Sequence, residues 1–290
     1  MDIGRSGVFV FSDALSASQL AHCAKRVEEL GYHTLWYPEA FGYETFSVAG
    51  YLLSQTSRLL IASGIANIYA RDPMSAVMGH NSLNALYGGR FVLGLGVSHL
   101  PLVTDARGHA YGRPVATMRA YLDGMDKAWS MMPGSTDRRV VLAALGPQMT
   151  RLSAERTLGA FPYNITPAQV ALSRAVMGGR GLLVCEQKVV LTSDPAVARQ
   201  VARAALKMYL GLPNYSQNWL RLGFTPDDWT GAGSDRLMDA MVYWGTAEEI
   251  RAKLAAYADA GADQVVVQAL RSDGAAGPDW AALEALAPGA

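Results

Sequence analysis

The sequence predicts an α/β fold in which parallel strands and helices alternate to close a (β/α)8 barrel, the TIM barrel. Short apolar runs alternate with helical patterns about eight times along the 290 residues, and the runs end in small or polar residues. No low-complexity linker divides the chain. One barrel needs roughly 250 residues, so the length fits a single domain with a modest insertion. An open doubly wound sheet is the alternative that this alternation leaves open.

Five strands are predicted in the first half of the chain, each followed by a helical pattern. Ser16 is placed to cap the first helix, and Pro73 suits the first turn of the helix that ends at Gly88. The segment 98–112 is longer than most connections, which favours a functional loop. The predicted strands cover residues 7–11, 34–37, 59–65, 91–95 and 139–145.

Three more strands are predicted in the second half, at residues 158–162, 181–191 and 264–270. Thr246 and Glu249 form a capping box for the helix before the last strand. Residues 213–243 contain short helical and turn patterns and are too few to have their own core, so they are predicted as a small helical insertion after strand seven. The prediction is one domain over residues 1–290 with this insertion.

The composition excludes several kinds of partner. Lysine plus arginine and aspartate plus glutamate each number 25, so no basic field favours nucleic acid or an anionic membrane. The two cysteines, Cys23 and Cys185, are too few for a disulfide framework or a metal cluster, and no metal site is expected. Without a leader-like segment or a run of about 18 apolar residues, a cytoplasmic protein is expected.

Two candidate catalytic residues follow predicted strands. Glu39 lies among aromatic residues after the second strand, where a carboxylate could have a raised pKa or accept a hydrogen bond from a cofactor. An exposed loop acid is the alternative. His99 begins the long loop after the fourth strand and is a candidate for proton transfer or substrate contact, with a structural histidine as the alternative.

Small residues at two further strand ends favour ligand binding. The segment from Gly94 to Ser98 lacks the third glycine of a dinucleotide loop, but its small residues are expected to let a flat ring or a phosphate approach the backbone. Gly146 and Pro147 open a helix whose free N–H groups are a candidate phosphate site, or else an ordinary turn.

Other charged residues and motifs are less informative. Arg71, Arg113 and His109 could meet anions but are expected to be mostly solvated loop charges. No catalytic triad spacing, HExxH, paired CxxC or Walker sequence occurs, which disfavours hydrolysis by a nucleophile or a metal.

Taken together, five segments resemble the luciferase-like monooxygenase superfamily, and more narrowly its branch of oxidoreductases that depend on coenzyme F420, a deazaflavin. The resemblance covers nearly the whole chain. The segments are ASGIANIYARDP (62–73), GGRFVLGLGVSH (88–99), GHAYGRPVATMRAYLD (108–123), LAALGPQM (142–149) and GTAEEIRAKLAAYADAGADQVVVQ (245–268).

The resemblance implies a barrel with an insertion after strand seven, hydride transfer involving coenzyme F420, and a homodimer. It implies a non-proline cis peptide between Gly64 and Ile65, behind the deazaflavin ring. The implied cofactor contacts are Glu39, Gly64, Ile65, Asn67, Val97, Ser98, Gly146, Pro147 and Met149.

The sequence departs from the family's sugar-phosphate dehydrogenases at two positions. Those enzymes have a histidine after the strand-two acid and a glutamate after the strand-four glycines, where this chain has Ala40 and His99. His99 is therefore the candidate proton donor or acceptor, with Glu39 orienting the coenzyme. The expected function is hydride transfer between the deazaflavin and a small organic substrate. An FMN-dependent monooxygenase, which works with a flavin, and a non-catalytic ligand-binding barrel are the alternatives.

Overall fold

In the computed structural model, parallel strands close into a barrel, as the sequence predicts. The structure describes residues 2–132 and 137–290. Within these residues the strands are β1 (Ser6–Phe9), β2 (Thr34–Tyr37), β3 (Leu60–Ser63), β4 (Ala66–Asn67), β5 (Phe91–Gly96), β6 (Val140–Leu142), β7 (Gly159–Ala160), β8 (Leu182–Leu191), β9 (Val242–Gly245) and β10 (Gln264–Ala269).

Eight of these strands form the ring, in the order β10, β1, β2, β3, β5, β6, β7 and β8, and pairing between β8 and β10 closes it. The short β4 follows β3 and pairs with the end of β5. All of these pairings are parallel. The carboxyl ends of the strands therefore meet at one mouth of the barrel, where this fold places its active sites.

The helices begin where the sequence provides caps. Ser16 with Gln19, and Thr246 with Glu249, form capping boxes, and Asp72 accepts a hydrogen bond from the Ser75 amide at the start of the third helix. The helices are α1 (Ala17–Glu29), α2 (Thr45–Ser54), α3 (Pro73–Leu86), α4 (Leu100–Thr104), α5 (Pro114–Met131), α6 (Pro147–Arg156), α7 (Pro167–Met177), α8 (Pro195–Leu210), α9 (Pro213–Arg221), α10 (Pro226–Trp229), α11 (Asp235–Met241), α12 (Ala247–Asp259) and α13 (Trp280–Ala285).

Three elements differ from the sequence-based expectation. The predicted strand 59–65 is observed as β3 alone, and β4 follows it as a separate short strand. The segment 98–112 contains the short helix α4, and β9 adds a strand at the end of the insertion. β9 pairs in parallel with the outer half of β8, from Lys188 to Leu191. The four residues of β9 are too short to show a strand period, and their pairing depends on the unusual length of β8.

Three apolar clusters form the core within the residues that the structure describes. One fills the barrel interior, where the rings of Trp36 and Phe161 stack with centroids 4.4 Å apart. A second lies between the strands and the outer helices. The third joins α9 and α11 to α8 and to Val190 and Val242, so apolar residues of the insertion pack against the barrel.

The remaining sequence-based expectations concern cysteines and membranes. Cys23 and Cys185 are both free and buried. Among the helices of the described residues, none has the length and apolar character that crossing a bilayer requires.

Candidate active site at the barrel mouth

The fold brings the predicted site residues to one end of the barrel, because each of them follows a parallel strand. Glu39 follows β2, and Gly64, Ile65 and Asn67 lie at the end of β3 and in β4. Val97, Ser98 and His99 follow β5, and Gly146, Pro147 and Met149 open α6.

The peptide bond between Gly64 and Ile65 is cis, as the resemblance implies. A Cβ atom on Gly96 would lie 2.4 Å from Ile65 Cδ1, and one on Gly94 would lie 2.0 Å from the carbonyl oxygen of Ser63. These glycines are thus needed for packing between β3 and β5. Ser63 and Ile65 fill the space beside these two glycines on the side where a Cβ would lie. The approach of a ring or a phosphate to the backbone at this strand end stays a prediction.

Glu39 lies in a buried ion pair with Arg71, and their side chains are 4% and 9% exposed. Besides both guanidinium nitrogens of Arg71, its carboxylate accepts hydrogen bonds from the backbone N–H groups of Thr45 at 3.2 Å and Asn67 at 2.7 Å. The expectation of a solvated Arg71 is therefore wrong, because its partner lies 32 residues earlier in the chain. Contact between Glu39 and a coenzyme stays a prediction.

Asn67 offers a hydrogen-bond donor at the mouth. Its side-chain oxygen accepts from the Tyr69 amide at 2.9 Å, and the residue is 3% exposed. Within the described residues, its side-chain NH2 group donates to no protein atom. Glu39 holds the backbone of Asn67, so this side chain has a fixed position from which to meet a ligand.

Val97 and Ser98 shape the loop after β5. Val97 is half-buried against the outer apolar cluster. Ser98 has a φ of 56°, the left-handed region, and its carbonyl oxygen accepts a hydrogen bond from the Tyr111 hydroxyl at 3.3 Å. Tyr111 thereby ties the far end of the loop to its beginning.

His99 lies between this loop and the insertion. Its half-buried ring is 5.9 Å from the ring of Tyr215 in α9. Burial lowers the pKa of His99, and a hydrogen bond with Asn214 opposes that effect. The imidazole is therefore neutral at neutral pH, with one nitrogen able to accept a proton and the other to donate one.

Gly146 precedes α6 and leaves the start of this helix open. It has an ordinary φ of −87° and provides no side-chain cap, and a Cβ there would meet only Arg221 Nη2, at 3.9 Å. Arg221 forms no ion pair within the described residues and donates to Asn218 at 3.0 Å. The free N–H groups and this cation fit an anionic ligand.

The next two residues differ in their surroundings. Pro147 is the first residue of α6, where its missing N–H costs nothing. Met149 is buried in the outer apolar cluster, and contact with a ligand stays a prediction there.

A buried ion pair inside β8 is not among the residues predicted from the sequence. Lys188 and Glu186 are each 1% exposed, and Lys188 Nζ lies 3.1 Å from the Glu186 carboxylate and 2.6 Å from Asn164 Oδ1. The same atom lies 3.7 Å from the centroid of the Tyr163 ring. Two charged residues separated by one position in an apolar strand share a face, and this signal could have shown that the barrel interior is polar at this point.

Two cavities open beside these ion pairs. One of about 530 Å³ lies next to Glu39 and Arg71. The other, of about 700 Å³, is bordered by Phe9, Tyr163 and Lys188. In the part of the chain that the structure describes, no group of three or more histidine, cysteine, aspartate or glutamate side chains is arranged to hold a metal ion.

Comparison with known proteins identifies the family. The family model described as luciferase-like monooxygenase matches residues 5–264. The chain belongs to this family. A Mycobacterium tuberculosis protein that is named as a coenzyme F420-dependent oxidoreductase is 24% identical over 312 residues, covering 86% of this chain and 90% of the relative.

Solved structures share the fold at low sequence identity. The coenzyme F420-dependent tetrahydromethanopterin reductase from Methanopyrus kandleri has a TM-score of 0.77 at 16% identity, covering 99% of this chain and 98% of the other. A type II Baeyer–Villiger monooxygenase of Pseudomonas putida in complex with FMN has a TM-score of 0.69 at 14% identity, covering 99% and 98%.

These comparisons confirm three expectations at the level of the family. The chain has the TIM-barrel fold, it is a member of the luciferase-like family, and it is an enzyme of the oxidoreductase kind. They support a cofactor that is either a deazaflavin or a flavin.

Proposed function

We propose that this chain is a coenzyme F420-dependent oxidoreductase that transfers a hydride between the deazaflavin and a small organic substrate. The name of the Mycobacterium tuberculosis relative, which covers most of this chain, supports the choice of coenzyme. The match between the charge at the start of α6 and the coenzyme's phosphate carries the proposal.

The start of α6 supplies one full positive charge and the partial charge of a helix end. Arg221 is the cation that approaches Gly146, and the N–H groups at the helix start have no side-chain cap. The phosphate of the deazaflavin coenzyme is a diester with one negative charge, whereas the monoester of FMN carries up to two. Arg221 and the helix end match the single charge of the diester, whereas Arg113 and Arg119, which border a neighbouring cavity with Gln148, are exposed.

Three residues have roles in this proposal. When bound, the deazaflavin supplies hydride chemistry at a ring carbon. Asn67 donates a hydrogen bond to the coenzyme from its free NH2 group, and Glu39 fixes the position of Asn67 through its backbone amide. His99, neutral because of its burial, accepts or donates the one proton that accompanies the hydride.

A titration of the protein with coenzyme F420 and with FMN, followed by fluorescence, tests the proposal. We expect F420 to bind at least about tenfold more tightly than FMN, a difference of ~1.4 kcal/mol. Gly146→Asp should weaken F420 binding by about tenfold or more, because a carboxylate at the helix start competes with the phosphate and pairs with Arg221.

Gly146→Asn is the matched control, since it adds a side chain of the same size without the charge. The φ of −87° and the open space at Gly146 allow both substitutions without strain. Asparagine should leave the Kd for F420 within about threefold of its original value, a difference of less than ~1 kcal/mol. Tighter binding of FMN would instead identify a monooxygenase of the same family, and binding of neither would favour a ligand-binding barrel.

A further inference from the structure

The cavity of about 700 Å³ lies between the ends of β1, β8 and β10 and the helix α8. Phe9 borders both this cavity and Gly64, since a Cβ on Gly64 would lie 3.0 Å from the Phe9 ring. The cavity therefore adjoins the site proposed for the coenzyme. Its walls are mostly apolar, formed by Phe9, Val10, Phe11, Met208 and Leu270.

A chain of hydrogen bonds ends in a free donor in this cavity. The Tyr209 hydroxyl donates to the Tyr163 hydroxyl at 3.4 Å, which donates to Gln268 Oε1 at 3.0 Å. The side-chain NH2 group of Gln268 donates to no atom of the described residues. Because Gln268 lines the cavity and is 7% exposed, this NH2 group can meet the acceptor oxygen of a ligand.

The cavity has no uncompensated buried charge. Lys188 is the buried cation among the residues that line it, and its ammonium is already bound by Glu186, by Asn164 and by the face of Tyr163. Lys207 lies at the exposed rim, where water screens its charge. An anionic ligand would therefore lose its hydration without gaining a counter-charge.

We infer that this cavity binds the substrate, and that the substrate is an uncharged organic molecule with a carbonyl or hydroxyl oxygen that accepts a hydrogen bond from Gln268. The inference rests on the proposed function, because it assigns the substrate class of that redox reaction. It excludes phosphorylated and carboxylated substrates from the Lys188 side of the mouth. Tyr163 and Tyr209 support the arrangement because burial raises the pKa of both phenols, which remain protonated donors at neutral pH.

A pair of probes with the same ring and different charge tests the inference. The intact protein without coenzyme is titrated with acetophenone and with benzoate, followed by ligand-observed NMR. We expect acetophenone to bind at least about tenfold more tightly than benzoate. Equal or tighter binding of benzoate overturns the inference, and so does the absence of acetophenone binding up to its solubility.

Variants of the polar residues locate the binding site. Gln268→Leu removes the donor and should raise the Kd for acetophenone by about fivefold or more. Tyr163→Phe keeps the ring over Lys188 but removes the hydroxyl that orients Gln268, and should raise the Kd by about threefold. Lys207→Gln is the control and should leave both Kd values within about twofold.

Thermal unfolding of each variant verifies that it is folded. Unchanged acetophenone binding in both the Gln268 and Tyr163 variants overturns the assignment of this cavity as the substrate site. The probe titration tests the substrate class and the coenzyme titration tests the redox function, so each can be rejected without the other. If the neutral probe is preferred but the coenzyme does not bind, the redox function is rejected, and if the coenzyme binds but benzoate is preferred, only the substrate class is rejected.

Discussion

Two buried ion pairs lie at the barrel mouth, and their surroundings differ. Glu39 and Arg71 come from two loops, and the carboxylate also accepts two backbone N–H groups. Arg71 has a second carboxylate partner in Glu44, at 3.1 Å. Glu186 and Lys188, by contrast, share one strand and face the barrel interior, where Asn164 supplies the third polar contact.

The same kind of charge pairing therefore serves two purposes in this protein. The planar guanidinium of Arg71 forms several directed hydrogen bonds and joins loops that carry proposed ligand contacts. Burial lowers the pKa of Lys188 and raises that of Glu186, and the attraction between the two opposes both shifts. The pair of Glu186 and Lys188 therefore gives the wall of the 700 Å³ cavity polar atoms but no net charge.

Breaking the pair inside the barrel should have the largest effect. Lys188→Met leaves the Glu186 carboxylate buried without its cation, and we expect the free energy of unfolding to fall by ~3–5 kcal/mol. Chemical denaturation monitored by circular dichroism measures this change.

The double variant Glu186→Leu with Lys188→Met is its control. Removing both charges should restore most of the lost stability, to within ~2 kcal/mol of the unaltered protein, because no isolated charge remains. A double variant that is as unstable as the single one would show that the two charges are not coupled.

Breaking the loop pair should cost less. Glu39→Gln removes the charge but keeps the shape, and Arg71 retains Glu44, so we expect a loss of ~1–3 kcal/mol of unfolding free energy. Coenzyme binding should also weaken, by about threefold or more, because the single amide oxygen cannot replace both carboxylate oxygens that hold the N–H groups of Thr45 and Asn67. Denaturation and the fluorescence titration measure the two effects.

Glu44→Gln provides the comparison for that variant. The Glu44 side chain is 49% exposed, so its pairing with Arg71 should contribute at most ~1 kcal/mol, and coenzyme binding should not change. Equal effects of the two substitutions on coenzyme binding would contradict a specific role for Glu39.

The two pairs also show what the sequence could predict. Strand and helix alternation, Ser16, Pro73 and the Thr246 capping box predict the barrel, because these signals act over a few residues. Glu39 was recognised as a candidate from its place after β2. Its partner Arg71 was not, because ion pairing over 32 residues depends on the folded loops.

The sequence does not predict the packing in the barrel interior either. Lys188 and Glu186 share a strand face by their spacing, but whether that face is interior depends on closure of the ring. The sequence shows that Gly94 and Gly96 are small, but it does not show that Ser63 and Ile65 pack where their Cβ atoms would lie. A glycine in the sequence thus indicates that space is needed beside the backbone, but only the fold shows which neighbouring residue occupies that space.

The pH dependence of the free energy of unfolding that His99 causes should be the weakest of these effects. His99 lies on the side of the mouth that holds the Lys188 pair. Its ring packs against the ring of Tyr215. The centroid of the Tyr215 ring lies 5.1 Å from that of Tyr209, which lines the cavity. Because burial lowers the pKa of His99 in the folded state, the unfolded chain binds more protons between that lowered pKa and the ordinary value of 6.5.

The free energy of unfolding should therefore rise with pH up to about 6.5 and then level off, with a slope from this residue of at most ~1.4 kcal/mol per pH unit. His99→Gln should reduce the slope without removing it, because burial also lowers the pKa of His80. NMR titration of the imidazole measures the His99 pKa directly. A value of 6.5 or higher would contradict the lowering of the pKa by burial. A value above about 7 would leave the imidazole mostly charged at neutral pH, against the neutral His99 on which its proposed proton transfer depends, and would place a second cation near the cavity that the Lys188 pair leaves uncharged.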